Sequence, residues 1–389
     1  MTEKLYWENA YETKFTAQLV AIKEEGIVLN QTLFYPESGN QASDRGELII
    51  GNFNFKVDKV SKEEEDILHH ISSDFKNKVK VGDEVKGEID WDYRYGIMKA
   101  HTSQHIFSAV CKNKFNIDTV RANLFFEEVF LSISEKIDYS QLKEILIEVN
   151  KICSSNNLKV KPNIISDKEA RKSSKKIRTV IPDESKIRLM EIEDLDLVCC
   201  GGTHIKNTNE IGKLYIYDFK RGNEIRYYVG DKSLLMSSND NVDMINLANR
   251  LNSPLEKTDS LIEKRLELLE TIQEQQKDIS VKFLETISKS PNKIIKDIHL
   301  FYIDFNIDLK ILNKSLEKFP KNSLIIVKFE SNKIRLLSLS ETIDSGKLID
   351  KLINKYGGKG GGNPKSSQGF LENIPEDLLS EIESLIFIE

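Results

Sequence analysis

Cysteine is scarce in this chain, with four among 389 residues, at positions 111, 153, 199 and 200. Two of the four are neighbours, so no disulfide framework can span the chain, and a reducing, cytoplasmic setting is expected. Long apolar runs are missing too. No window approaches the roughly eighteen consecutive apolar residues of a membrane-crossing helix. The N-terminus, MTEKLYWENAYETKF, has no apolar signal core. There is no excess of positive charge either. The formal net charge is −6, so any contact with nucleic acid must come from local basic patches.

What is present is the composition of a soluble globular protein, 39% hydrophobic and 30% charged. The length predicts two or three domains. Residues 1–90 read as short strands with alternating apolar and polar positions and turns at EEG, Gly51-Asn52 and Gly82-Asp83. That pattern predicts a small β-barrel. Residues 91–238 mix helix and strand. YRYGIMKAHTSQHIFSAVCKNKF has helical spacing, with Met98, His101, His105 and Ser108 on one face. SQLKEILIEVNKICSS predicts an amphipathic helix, and NIISDKEARKSSKKIRTVIP a short basic one ended by Pro182. Residues 239–290 lead into a long glycine- and proline-free stretch with an apolar stripe at Ile262, Leu266, Leu269, Ile272, Ile279 and Phe283. It fits a helical linker, packed on its own domain or forming a coiled-coil seam. Residues 291–389 return to strands, a glycine cluster and a terminal helix, a small α/β domain. The fold class is α+β throughout.

The chemistry concentrates in two short motifs. HTSQH carries His101 and His105 at i and i+4, so on a helix both imidazoles project to the same side. CGGTH carries Cys200 and His204, and its two glycines allow a tight turn that lets sulfur and nitrogen converge. The chain has six histidines, and three of them fall in these motifs. Three imidazoles and one thiolate are a ligand set for tetrahedral Zn²⁺. Cys199 adjoins Cys200 but on a strand would face the other way. Cys111 and Cys153 read as core, and His69 and His70 as strand residues, with one facing the site or both in packing or surface roles.

With these motifs in view, the chain resembles the editing domain of alanyl-tRNA synthetase and its free-standing relatives, the AlaX proteins. HTSQH and CGGTH are similar to the family's two zinc motifs. QTLFYPESGNQASDRGEL is similar to a third family segment, with Thr32, Phe34, Tyr35, Glu37, Gly39, Gln41, Asp44 and Gly46 at matching positions. RGNEIRYYVGDKSL matches at Gly222, Arg226 and Gly230, and GGKGGGNPKSSQG resembles the glycine-rich signature of the synthetase's C-terminal domain. The synthetase's aminoacylation domain, which would precede the barrel, has no counterpart here, so the resemblance is to the long form of AlaX. Asn40 departs from the family's Gly-Gly-Gln run. Asparagine tolerates positive φ better than other non-glycine residues, so the turn is expected to survive.

The resemblance implies deacylation of mischarged tRNA(Ala), chiefly Ser-tRNA(Ala) and also Gly-tRNA(Ala), with His101, His105, Cys200 and His204 holding Zn²⁺. Gln41 would hydrogen-bond substrate or water. Thr32 would recognise the seryl hydroxyl, or be an ordinary strand threonine. Four protein ligands fill a tetrahedral ion, leaving open whether zinc acts in catalysis or in placing the substrate. The tRNA acceptor end is the expected partner, with the elbow as a second contact. A homodimer through the helical linker or C-terminal domain is a further expectation, and nucleotide and ATP binding come with the synthetase likeness. Residues 151–190 hold eleven Lys or Arg against four Asp or Glu. Lys172, Lys175, Lys176 and Arg178 are therefore candidate phosphate contacts, or a solvated face. Gly360, Gly361 and Gly362 are candidates for backbone approach to tRNA. Two other readings stand beside this one: a zinc-stabilised tRNA-binding protein without turnover, and editing of another mischarged tRNA.

Overall fold

In Lys14–Ile22 the buried positions are Ala17 and Leu19, and in Glu84–Ile89 they are Val85, Gly87 and Ile89. This period-two burial lets one sheet curl on itself and enclose a core. A computed structural model describes residues 1–71, 74–173, 176–329 and 332–387. It contains a closed six-stranded barrel, in the order Lys14–Ile22, Gly26–Leu29, Asp66–Ile71, Phe53–Glu63, Gly46–Ile50 and Glu84–Ile89. Leu19, Leu29, Leu48, Val57 and Val85 fill it. The barrel expected near the N-terminus is thus present in a mixed α+β chain.

Helix α1, Trp91–Phe115, follows directly. Asp90 caps it by accepting from the Tyr93 amide, and Asn116 ends it in the left-handed conformation. The helix is buried along most of its length, including His101 and His105. One side packs on an antiparallel sheet of Tyr215–Lys220, Glu224–Tyr228, Glu128–Ile133 and Thr119–Phe125, in that order. A second sheet pairs Val160–Ser166, Lys186–Ile192 and Asp196–Cys199. Helix α2, Tyr139–Lys151, carries a capping box at Asp138 and Gln141. Helix α3, Asp167–Lys172, lies within the segment NIISDKEARKSSKKIRTVIP, read as a short basic helix. Cys111 and Cys153 are core residues, as expected.

Two interactions lock the barrel to the rest of the first unit, one to α1 and one to a strand. Arg94 and Asp44 form an ion pair with essentially no solvent exposure. Arg94 Nε donates to Asp44 Oδ1 at 2.7 Å, and its other nitrogens donate to the carbonyls of Ala10 and Leu33. Asp44 also accepts from the Tyr35 amide. Beyond it, the 38–42 turn bridges to the strand Thr119–Phe125 through Leu124 N to Asn40 O and Ala42 N to Leu124 O. Asn40 holds φ +66° and Gly39 φ +56°, so the turn survives without the second glycine.

The chain divides into two compact units, Met1–Leu247 and Ala248–Glu389. Helix α4, Gly230–Arg250, runs across the point of division. The second unit begins with the long helix α5, Thr258–Ile287. Its six-stranded sheet runs Lys293–Ile295, Ile298–Ile303, Ser323–Lys328, Lys333–Ser338, Ser366–Leu371, Gly358–Asn363. Helix α6, Leu309–Ser315, packs with the end of α5 over one hydrophobic cluster. Helices α7, Ser345–Tyr356, and α8, Leu378–Phe387, pack over another. The glycine cluster is an edge strand, paired from Gly358 to Asn363 with Leu371 to Ser366.

Asp44→Ala should cost about 3–5 kcal/mol, because it leaves a buried guanidinium unpaired. Both tryptophans, Trp7 and Trp91, lie in the first unit. Urea unfolding followed by tryptophan fluorescence therefore reads this loss without interference from the second unit.

Candidate metal centre and pocket

Helix α1 brings His101 and His105 one turn apart, and the loop after Asp196–Cys199 brings Cys200 and His204 against them. One ligand atom from each of the four lies within 4.8 Å of the others. Cys200 Sγ is 3.4 Å from His101 Nε2 and 3.2 Å from His204 Nε2. Tetrahedral bonds of about 2.0–2.3 Å give ligand-to-ligand edges of about 3.3–3.8 Å, so these spacings suit an ion the size of zinc.

The rest of each motif holds the ligands in place. His101 Nδ1 donates to Gln41 Oε1 at 2.7 Å, which turns Nε2 toward the sulfur. Gln41 Oε1 also accepts from the Thr203 amide, while Gln41 Nε2 donates to Thr203 Oγ1. His204 Nδ1 meets Thr102 Oγ1 at 3.1 Å. Thus the threonine of each zinc-like motif supports the site: Thr102 contacts a ligand, and Thr203 fixes Gln41. Gly202 is needed for close approach. A Cβ there would stand 2.3 Å from His101 Cε1 and 2.6 Å from Gln41 Oε1. Gly201 meets only the Trp7 ring edge, at 3.9 Å.

His105 is the exception. Its Nδ1 is buried without a hydrogen-bond partner, and the nearest carboxylate oxygen, Asp196 Oδ2, is 3.8 Å away. Asp196 in turn receives two 2.7 Å hydrogen bonds from Arg178. A buried imidazole nitrogen left open beside a fixed carboxylate is what a ligating histidine needs, so the donor set fits a bound metal.

Burial keeps the cluster neutral. It pushes His101 down to about 3, with Arg188 adding to the effect. It also holds His105 and His204 well below the usual imidazole range, with their charged and histidine neighbours contributing. Burial pushes the Cys200 thiol up. Neutral imidazoles are ready ligands; the thiol must lose its proton.

The other expected residues are placed as follows. Gln41 is 1% exposed and engaged with His101 and Thr203. Thr32 is 0% exposed, and its hydroxyl contacts His69 Nε2 at 2.8 Å and accepts from the Phe34 amide. Among the described residues, Thr32 makes no hydrogen bond to the quartet. Cys199 faces away from it, packing with Ala170, Ile187 and Leu189. Lys172 and Lys176 are exposed, Lys175 lies outside the described residues, and Arg178 is bound to Asp196. Gly360, Gly361 and Gly362 lie on the edge strand of the second unit. Sequence reasoning missed Asp196, Arg188 and the His69–Thr32 contact. Thr102 and Thr203 lay inside motifs already in view.

Two family models match the chain. The class II (A) tRNA synthetase model covers residues 5–93, and the second additional domain of threonyl- and alanyl-tRNA synthetases covers 187–226. The alanyl-tRNA editing protein AlaX-L of Pyrococcus horikoshii is 30% identical, across 97% of this chain and 96% of its own length. The chain belongs to the AlaX family. A shorter AlaX relative, AlaX-M of Methanosarcina mazei, is 36% identical over 54% of this chain and 88% of its own length. An alanine–tRNA ligase of Sulfurisphaera tokodaii is 29% identical over 93% of this chain, which spans 41% of the ligase. Neither the described residues nor these AlaX and ligase matches support ATP binding. No helix among the described residues is long and apolar enough to cross a membrane.

Metal affinity should rise about tenfold per pH unit from 6 to 8, since only the Cys200 thiol has a proton to release. Titration against a metal-sensitive dye at several pH values measures it, and a flat profile would contradict this protonation pattern. Asp196→Asn should weaken metal binding by about 10–100-fold while the fold persists, as read by chelator competition and circular dichroism.

Proposed function

We propose that this chain removes wrong amino acids from tRNA(Ala), chiefly serine and also glycine, in a pocket beside the His101, His105, Cys200 and His204 quartet, with Zn²⁺ as the ion. Membership of the AlaX family makes it an aminoacyl-tRNA deacylase. One observation carries the reading to a site: Gln41, from the barrel, is hydrogen-bonded to His101, a member of the quartet on α1. The three family-like segments therefore meet at one place.

Zinc, when bound, supplies Lewis-acid polarisation of a carbonyl or a water of lowered pKa. Gln41 orients His101 and keeps one amide hydrogen for the substrate or its water. Thr32 carries the preference for serine. The Ile27 carbonyl can only accept, so His69 Nδ1, 3.3 Å away, is the protonated nitrogen, and burial keeps this imidazole neutral. His69 Nε2 must then accept from the Thr32 hydroxyl. With the Phe34 amide donating to the same oxygen, Thr32 has one lone pair left. A seryl hydroxyl donates to it; the side chains of alanyl and glycyl groups have nothing to donate.

Segments 1–90 and 91–238 would form the editing half, 239–290 a helical linker, and 291–389 a module reaching the tRNA elbow through Gly360, Gly361 and Gly362. Lys172, Lys175 and Lys176 would grip phosphates near the acceptor end, while Arg178 supports the site through Asp196. Exposed Leu266, Leu269, Ile272 and Ile279 on α5 suit a homodimer seam. Four free cysteines suit a reducing cytoplasm. A second reading, editing of threonine-specific tRNA, draws support from the threonyl- and alanyl-synthetase domain match.

Purified protein should release serine from Ser-tRNA(Ala), and more slowly from Ser-tRNA(Thr), while sparing Ala-tRNA(Ala). Tight tRNA binding with no release would favour a binding protein instead. Thr32→Val should lower the Ser-to-Ala rate ratio about tenfold, the worth of one hydrogen bond, and leave Gly-tRNA(Ala) hydrolysis nearly unchanged. An unchanged ratio would end the Thr32 assignment.

A further inference from the structure

Two of the arginines drawn into the first unit around the quartet have acids of their own: Arg94 has Asp44 and Arg178 has Asp196. Arg188 has none. It stands on Lys186–Ile192 and is 5% exposed. Its Nε donates to Trp7 O at 3.2 Å, and Nη1 donates to Cys200 O at 2.8 Å and Gly202 O at 2.9 Å. Nη2 has no partner, and no carboxylate pairs with the guanidinium among the described residues. The quartet beside it does not balance the charge. It is neutral with its thiol protonated, and a dication bound to one thiolate and three imidazoles leaves it positive. A buried cation without a counter-charge is costly, so the position calls for an anionic guest.

The surroundings give that guest room. Arg188 lines a cavity of about 240 Å³ together with Trp7, Tyr35 and Cys200; the lining also carries Glu65, Asp66 and Glu184 beside Lys4 and Lys62, and none of these acids ion-pairs with the guanidinium. It also lines a neighbouring cavity of about 210 Å³ that reaches His204. Each cavity is therefore lined by Arg188 and one member of the quartet.

We propose that Arg188 is a subsite for an anionic oxygen of the aminoacyl end of tRNA. Two oxygens have this chemistry: the terminal phosphodiester, and the oxyanion formed during ester hydrolysis. In that hydrolysis the oxygen of water bonds to the carbonyl carbon and the carbonyl π pair moves to its oxygen. As that pair returns, the bond to the ribose oxygen breaks, and the ribose oxygen takes the proton that water gives up. A fixed guanidinium facing the carbonyl oxygen stabilises the charged stage. The inference rests on the deacylase reading.

The test compares the metal-loaded wild type with Arg188→Lys and Arg188→Gln on two substrates, Ser-tRNA(Ala) and the phosphate-free 3′-seryl adenosine. Metal content is measured for each. A phosphodiester contact raises KM for Ser-tRNA(Ala) about 10–100-fold and leaves seryl adenosine unaffected. An oxyanion contact lowers kcat on both substrates about 100-fold. Either result supports the subsite. Metal-loaded variants with unchanged kcat and KM on both substrates overturn it. Should the variants lose metal or fold, the wild type decides. Its Arg188 guanidinium nitrogen resonances should shift on adding an adenosine 5′-phosphate bearing a 3′-seryl amide, and no shift overturns the proposal. A wild type that releases no serine removes the deacylase reading itself, which is a distinct outcome.

Discussion

Asp44 and Arg94 meet with essentially no solvent exposure. Burying two charges is expensive, and the cost is offset because every nitrogen of the guanidinium donates to an acceptor and the carboxylate also receives the Tyr35 amide. Such a pair tolerates little movement. It therefore sets the position of the barrel against α1, and much else follows. Gln41 lies a short step before Asp44, and His101 lies two helical turns beyond Arg94. The bond between Gln41 and His101 is possible because the ion pair has already placed both chain segments.

The electrostatics of the site are of the opposite kind. Where the Asp44–Arg94 pair matches charge with charge, the quartet is kept uncharged by burial. Close packing of three imidazoles would be repulsive if they were protonated. Their ring centroids are 4.2–4.9 Å apart. Neutrality lets them pack this closely. Charge then sits just outside, on Arg188 and on the Arg178–Asp196 pair, where it can act without displacing a ligand.

The quartet was legible because its geometry is local. An i and i+4 pair on a helix, and a cysteine and histidine across two glycines, announce themselves in short windows. Gln41 became legible through a family-like segment. Asp196 and Arg188 were not, because a charged residue on a strand reads as surface until the fold buries it. Arg178 misled for the same reason. It sits in a basic run that looks like a phosphate grip, yet its guanidinium turns inward to Asp196. The glycine cluster gives no strand pattern by composition, and only backbone pairing makes it an edge strand. His69 looked like an ordinary strand histidine; only the partner on each ring nitrogen shows that it fixes the direction of a threonine hydroxyl.

The bridge from the 38–42 turn to the strand Thr119–Phe125 has a bearing on modularity. By sequence pattern, the natural place to divide the first unit is between the barrel and α1. A division there would send Gln41 and Asp44 with one fragment and His101, Arg94 and Leu124 with the other. Neither piece would carry a working constellation, and transplanting either onto a foreign scaffold would move half a site. Keeping Gln41 against His101 takes the barrel and the region from HTSQH to CGGTH together.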